Sequence, residues 1–373
     1  MGSLNRRAVV LASFLGAALL AGGAPVRGEE VPKEYQETIR KGLDWLAKNQ
    51  FKDGHWEGVN GQYAVSMTAL GGMALLCEGS TLREGKYRDN IRRAVNWLMD
   101  RVQPNGLIGN PTSQSEGGRY MYGHGFSLMF LASVVGEVEN ARRRERLVQL
   151  LEKAAKYTRD AQTNRGGWGY VSAKDGSNFD EGSVTITQVQ ALRAARNAGI
   201  IVPGEAIKDA QKYLKDSTND QGGVQYSLAF GGGRGEGRPA LTAAAIACGF
   251  SFGDYNGELV KKWLKYCQGT LATPGDGRRI GHDEYTHYYY AQVVYVLGDD
   301  RFKKLFPDAR SDEVVNWSSY RKAVFDEFKR TQSADGSWSH DSWTARMVGP
   351  VYVTACYLTV LQLDKAALPI YQR

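Results

Sequence analysis

One spacing constrains this chain more than any other. The pattern Gln-x-x-x-Gly-x-Trp occurs three times, as Gln50/Gly54/Trp56, Gln162/Gly166/Trp168 and Gln332/Gly336/Trp338. The copies begin 112 and 170 residues apart, close to two and three multiples of about 56, so degenerate copies are expected between them. They are present. Gln103 to Gly106 keeps the turn with Ile108 in place of Trp, Gln221 to Val224 keeps two glycines, and Gly275 to Gly277 follows Gln268 in a longer loop.

Each turn follows an amphipathic helical pattern, for example Ile39-Leu43-Leu46, Ile91-Val95-Leu98 and Leu147-Leu151-Ala154. Each is followed by a second helix that is apolar on nearly every side and rich in small residues, such as Thr68 to Leu76 and Leu241 to Ala247. A helix without a polar face is a buried helix. Six outer amphipathic and six inner apolar helices predict an all-α fold, an (α/α)6 toroid of six hairpins with its inner helices side by side. The tryptophans should sit between outer helices. The 44 glycines against 10 prolines suit a chain punctuated by many turns.

The N-terminus reads differently. Arg6 and Arg7 precede an apolar run from Ala8 to Leu20 and small residues through Gly28, the layout of a secretory signal. Residues 1–28 are therefore expected to be a signal peptide and 29–373 a single toroid domain. Asn5 to Val10 has twin-arginine character, so a folded-export route is one alternative. The expected location is periplasmic or extracellular. The run of 13 apolar residues is too short to span a bilayer, and no later segment of the mature chain reads as a membrane span.

Without residues 1–28 the chain carries 44 basic and 40 acidic residues, a mildly basic surface. No interleaving of arginine with aromatic residues accompanies the Arg142-Arg143-Arg144 run, so no nucleic-acid partner is expected. Cys77, Cys248, Cys267 and Cys356 fall singly, with neither zinc-site nor disulfide spacing. No metal and no cofactor is expected.

The Gln-x-x-x-Gly-x-Trp copies resemble the QW motif of the terpenoid cyclase and protein prenyltransferase superfamily, in particular squalene–hopene cyclase-like repeats, over essentially the whole mature chain. The resemblance implies structural roles for Gln50, Trp56, Gln162, Trp168, Gln332 and Trp338: each Gln capping the next outer helix while stacking on its Trp. Departures limit what else it implies. Squalene–hopene cyclases have two helical domains, and this chain has length for one. Their Asp-x-Asp-Asp acid run is absent, the nearest match being Asn178-Phe179-Asp180-Glu181. The ligand spacing of the zinc prenyltransferases and the Gly-Cys-Gly-Glu-Gln of the thioester proteins are absent too.

In such a ring the loops entering the inner helices surround a central mouth. They are rich in polar and aromatic residues, and they carry the candidate catalytic residues Asp180, Glu181, Asp283 and His287. Asp283 and His287, four apart, could pair as carboxylate and imidazole, or serve as helix cap and satisfied core histidine. Asp180 and Glu181 could supply a proton, or complement a helix dipole. Candidate ligand-binding residues are Tyr120, Tyr122, His124, Arg238, Tyr285, Trp343 and Arg346. Glycines flank His124 and could admit a ligand. Asp180, Glu181, His124, Arg238, Asp283 and His287 should converge.

Three functions stay open: a cyclase-like enzyme acting on or binding an isoprenoid or other apolar small molecule; a non-enzymatic peptide- or glycan-binding module; and a saccharide hydrolase or lyase using paired carboxylates.

Overall fold

The computed structural model describes residues 28–176, 178–229, 235–271, 283–339 and 342–372. The expected signal segment lies outside them except for Gly28, and so do Gly277 and His282.

Two kinds of helix alternate along the chain. The outer ones are α1 (Lys33–Lys48), α3 (Arg88–Met99), α5 (Ala141–Asp160), α7 (Gly204–Asp216), α9 (Glu258–Thr270) and α12 (Trp317–Thr331). The inner ones are α2 (Ala64–Cys77), α4 (Tyr120–Ser133), α6 (Gly182–Asn197), α8 (Pro239–Ser251), α10 (Asp283–Leu297) and α14 (Pro350–Leu361). Two short helices, α11 (Arg301–Leu305) and α13 (Trp343–Val348), decorate the last two repeats. Among the described residues there is no strand, only the isolated bridges Val102–Ile108 and Thr218–Val224.

Outer helices bury one stripe, as Ile39, Leu43 and Leu46 do in α1, while α2 buries every residue after Ala64. Inner helices pack in sequence from α2 to α14, and α14 returns to α2; α1 meets α12 in the outer ring. The toroid is closed.

Turn glycines carry the closure. Gly54, Gly106, Gly166, Gly222 and Gly336 all have φ between 89° and 108°. A Cβ on Gly166 would lie 2.3 Å from the Asp209 carbonyl oxygen in α7, and one on Gly336 would lie 2.5 Å from that of Lys41 in α1. Left-handed backbone and contact with the next outer helix together demand glycine.

The indole N–H of each motif tryptophan caps a carbonyl ten residues earlier, at the end of its own outer helix: Trp56 to Leu46 at 2.7 Å, Trp168 to Thr158 at 2.6 Å, Trp338 to Phe328 at 2.7 Å. Each glutamine amide donates to its own turn and to a carbonyl early in the next outer helix: Gln50 to Asn90, Gln162 to Ala206, Gln332 to Thr38. The expected roles are therefore corrected in detail. The tryptophan caps the helix, and the glutamine bridges to a carbonyl rather than to free N–H groups. The rings also press on inner helices: Trp56 lies against Gly71 of α2, and Trp338 against Tyr357 of α14.

A second periodic contact was not read from the sequence. The backbone N–H at the tryptophan position donates to a side chain of the following inner helix: Trp56 to Thr68, Ile108 to His124, Trp168 to Thr185, Val224 to Thr242 and Trp338 to Thr354. This residue marks the outward face of α2, α4, α6, α8 and α14. The residue two before it, about 200° around the helix, faces the axis.

Candidate functional site

The register sorts the expected site residues. His124 occupies the threonine position and points outward, fully buried. Because the Ile108 backbone N–H can only donate, Nδ1 accepts, and Nε2 carries the proton given to Thr158 Oγ1 at 2.9 Å. Burial pushes its pKa down to about 3. Its flanking glycines do not admit a ligand: Gly123 takes Val65 of α2, and Gly125 takes Thr187 and Gln188 of α6. His287 likewise faces the outer ring, with Nδ1 2.9 Å from the Tyr320 hydroxyl and its ring edge-on to Phe328. Tyr120 is also scaffold, donating to Asp175 at 2.6 Å and accepting from the Ser172 N–H.

Asp180 turns away from the axis. Its carboxylate, fully buried, receives Arg165 Nε at 2.5 Å, the Tyr213 hydroxyl at 3.0 Å, Ser227 Oγ at 3.2 Å and the Leu228 N–H at 2.7 Å. The cation beside it is Arg165, not the expected Arg238 or His124. A groove of about 710 Å³ lies on the rim above it, floored by Arg165, Asn178 and Leu228. The groove's Asp160, Asp209 and Asp216 are each paired with a lysine or arginine.

Expected convergence is thus replaced by a smaller cluster. Applied to the inner helices, the two-residue offset places Tyr122, Ser183, Tyr285 and Tyr352 toward the axis. Glu181 caps α6, its Oε2 accepting the Val184 N–H at 2.9 Å, Ser183 Oγ at 2.6 Å and the Tyr122 hydroxyl at 3.3 Å. No cation pairs with it among the described residues. Burial raises its pKa above the ordinary glutamate range, and the hydrogen bonds from Ser183, Val184 and Tyr122 offset only part of this. Burial, with a smaller contribution from Glu181, raises Tyr170, Tyr226, Tyr285 and Tyr289. At the start of α10, Glu284 is fully buried and takes Ser342 Oγ at 3.2 Å, and burial, with smaller contributions from Cys356 and Glu284, raises Tyr352. Asp283 opens α10 beside it. The Tyr285 hydroxyl is buried with no hydrogen-bond partner among the described residues.

Three site residues were missed. Tyr170 and Tyr226 join hydroxyls at the rim, with Phe179 between their rings, while the Arg119 guanidinium lies 4.7 Å from the Tyr170 ring centre. The signal existed: Tyr170 and Tyr226 stand 56 residues apart, each two residues after its tryptophan position. Arg238 caps this row, 5.6 Å from the Tyr226 ring. Trp343 and Arg346 lie exposed on α13, outside the cluster.

At the far end of the ring the C-terminal turn packs against α6. Tyr371, in the C-terminal turn Pro369–Tyr371, is buried and hydrogen-bonds Tyr288 at 2.8 Å. Gln190 and Gln292 join above it at 2.9 Å. Among the described residues, no three His, Cys, Asp or Glu side chains gather as a metal site, and no helix is long and apolar enough to cross a membrane.

The closed double ring of helices is a helical toroid, and the chain has a terpenoid cyclase-like toroid fold. No protein-family model matches it. It is 33% identical over 88 residues to lanosterol synthase of Homo sapiens and 32% to that of Mus musculus, covering 24% of this chain but only 12% of those enzymes. Among solved structures it resembles the GH76A alpha-1,6-mannanase from Salegentibacter sp. HEL1_6, with 12% identity and a TM-score of 0.59 over 89% of this chain and 99% of that one. It also resembles the type II terpene cyclase MstE from Scytonema, with 14% identity and a TM-score of 0.56 over 91% and 100%. Mannanase variants are known with alpha-1,6-mannotriose and mannotetrose, and a cyclase variant with geranylgeranyl dihydroxybenzoate. At these identities the likeness establishes the fold alone.

Proposed function

We propose that the tyrosine-lined mouth binds an elongated apolar ligand of isoprenoid type and that Glu181 donates a proton to it. The observation that carries this reading is a buried carboxyl with no ion pair among the described residues, set among tyrosines at the start of α6. Burial keeps Glu181 protonated to higher pH than a surface glutamate. When the proton leaves, the new carboxylate already holds donors from Ser183, Val184 and Tyr122, which lower the cost of its charge. The positive charge left on the ligand would meet the faces of Tyr122, Tyr170 and Tyr285. The fold likeness to a terpene cyclase and the short match to lanosterol synthase support the substrate class. Removal of residues 1–28 on export belongs to the same reading.

A second reading rests on Glu284. Two buried glutamates at the starts of inner helices α6 and α10, in a fold shared with a mannanase, suit a glycan cleaved between paired carboxylates. One experiment separates the two readings: mature protein incubated with squalene, shorter isoprenoids and an alpha-1,6-mannan, with products identified by mass spectrometry. Cyclised or hydrated isoprenoid supports the first reading, and released oligosaccharide replaces it with the second.

A further inference from the structure

The rim carries two guanidinium groups that the proposed proton transfer does not use. Arg119 immediately precedes α4 and Arg238 immediately precedes α8, on either side of α6. Each lies over one ring of the hydrogen-bonded Tyr170–Tyr226 pair, at 4.7 and 5.6 Å. Both cations act on the same place: each pulls the Tyr226 hydroxyl down against its burial, and Arg119 also acts on Tyr170.

Neither guanidinium has a hydrogen bond or ion pair among the described residues. The contrast with Arg165 on Asp180 and Arg321 on Asp364 is direct, since those cations are spent on buried carboxylates. A guanidinium resting on a tyrosine face keeps its in-plane N–H donors available, and these match the two oxygens of a carboxylate or phosphate. The tyrosine pair adds a donor: two hydroxyls joined by one hydrogen bond leave one O–H free. Glu181 lies nearby, and burial raises its pKa above the ordinary glutamate range.

We propose that Arg119, Arg238 and the Tyr170–Tyr226 hydroxyl pair form an oxyanion subsite that holds the acidic head of the ligand at the rim. The ligand's apolar body then runs inward over Tyr122, Tyr285 and Tyr352, and the unpartnered Tyr285 hydroxyl faces it. This rests on the isoprenoid reading for the body of the ligand, but not for its head.

Calorimetric titration with four probes tests it: geranylgeraniol, geranylgeranoic acid, geranylgeranyl phosphate and dodecyl phosphate. Wild-type protein should bind the isoprenoid acid and phosphate at least about tenfold tighter than the alcohol. An Arg119→Met/Arg238→Met double variant should lose that margin with alcohol affinity and Tm unchanged, whereas Arg142→Met on outer helix α5 should keep it. The tighter of the two acidic probes identifies the head as carboxylate or phosphate. Equal affinity for alcohol and acids, or a margin that survives the double variant, overturns the subsite and leaves the isoprenoid reading standing. Binding of dodecyl phosphate that needs both arginines, with none of the isoprenoids bound, upholds the subsite and overturns the isoprenoid reading.

Discussion

Asp180 and Glu181 are consecutive, yet their carboxylates serve opposite sides of the inner ring: Asp180 turns outward into Arg165 and Tyr213, while Glu181 caps α6 beside Tyr122 at the mouth. Extended backbone at Glu181, with φ of −147° and ψ of 135°, separates the two directions just before the helix begins. One acid is fixed by a cation, and the other has no ion pair among the described residues.

Asp180→Asn should therefore be a stability variant. It removes charge from a buried site that receives four donors, and a loss of roughly 2–3 kcal/mol is expected, below a fully buried pair because Arg165 is part-exposed. Urea denaturation measures it, and Arg165→Met should produce a loss of similar size.

Trp168→Ala should cost about 3–5 kcal/mol, through a cavity behind a fully buried ring and an uncapped Thr158 carbonyl. Trp168→Phe retains most of the ring volume and isolates the hydrogen bond, so about 1–2 kcal/mol is expected by denaturant titration.

Gly166→Ala places a Cβ 2.3 Å from the Asp209 carbonyl oxygen at φ 89°, so strain and displacement of α7 add together. A loss above about 2 kcal/mol is expected, against a few tenths for Gly204→Ala, where nothing lies within 4 Å.

His124 gives a pH signature. Its folded pKa is pushed down to about 3 against an ordinary 6.5, so between these values the unfolded chain binds a proton that the native state refuses. Its contribution is fully present above pH 6.5 and is lost as pH falls toward 3. His124→Thr, the residue of the equivalent position in α2, α6, α8 and α14, should flatten the stability profile in that window. Urea midpoints across pH 4–7 check this, and an unchanged slope would remove His124 as the source.

The fold was legible because backbone demands leave marks on residue type. Gly54, Gly166 and Gly336 are glycine for steric reasons, Trp56, Trp168 and Trp338 answer a carbonyl at fixed distance, and both recur with the repeat. Site residues were only half legible. An inner helix without a polar face hides which side meets the axis, so His124 and His287 read as functional while their register sends them outward. Arg119 and Tyr170 lie in connections of unequal length, and only the side-by-side packing of α4 and α6 brings Arg119 onto Tyr170. The repeat offset shared by Tyr170 and Tyr226 was the one sequence sign of the rim.

Glu181, and not Asp180, is proposed as the working acid of an isoprenoid-binding mouth. Its most direct test is product formation by mature wild type, Glu181→Gln and Asp180→Asn with squalene and geranylgeranyl substrates, read by mass spectrometry at matched folded fraction. Cyclised or hydrated product is expected from wild type, none from Glu181→Gln despite retained ligand binding, and product from folded Asp180→Asn. Full turnover by Glu181→Gln, or no isoprenoid product from wild type, would contradict it.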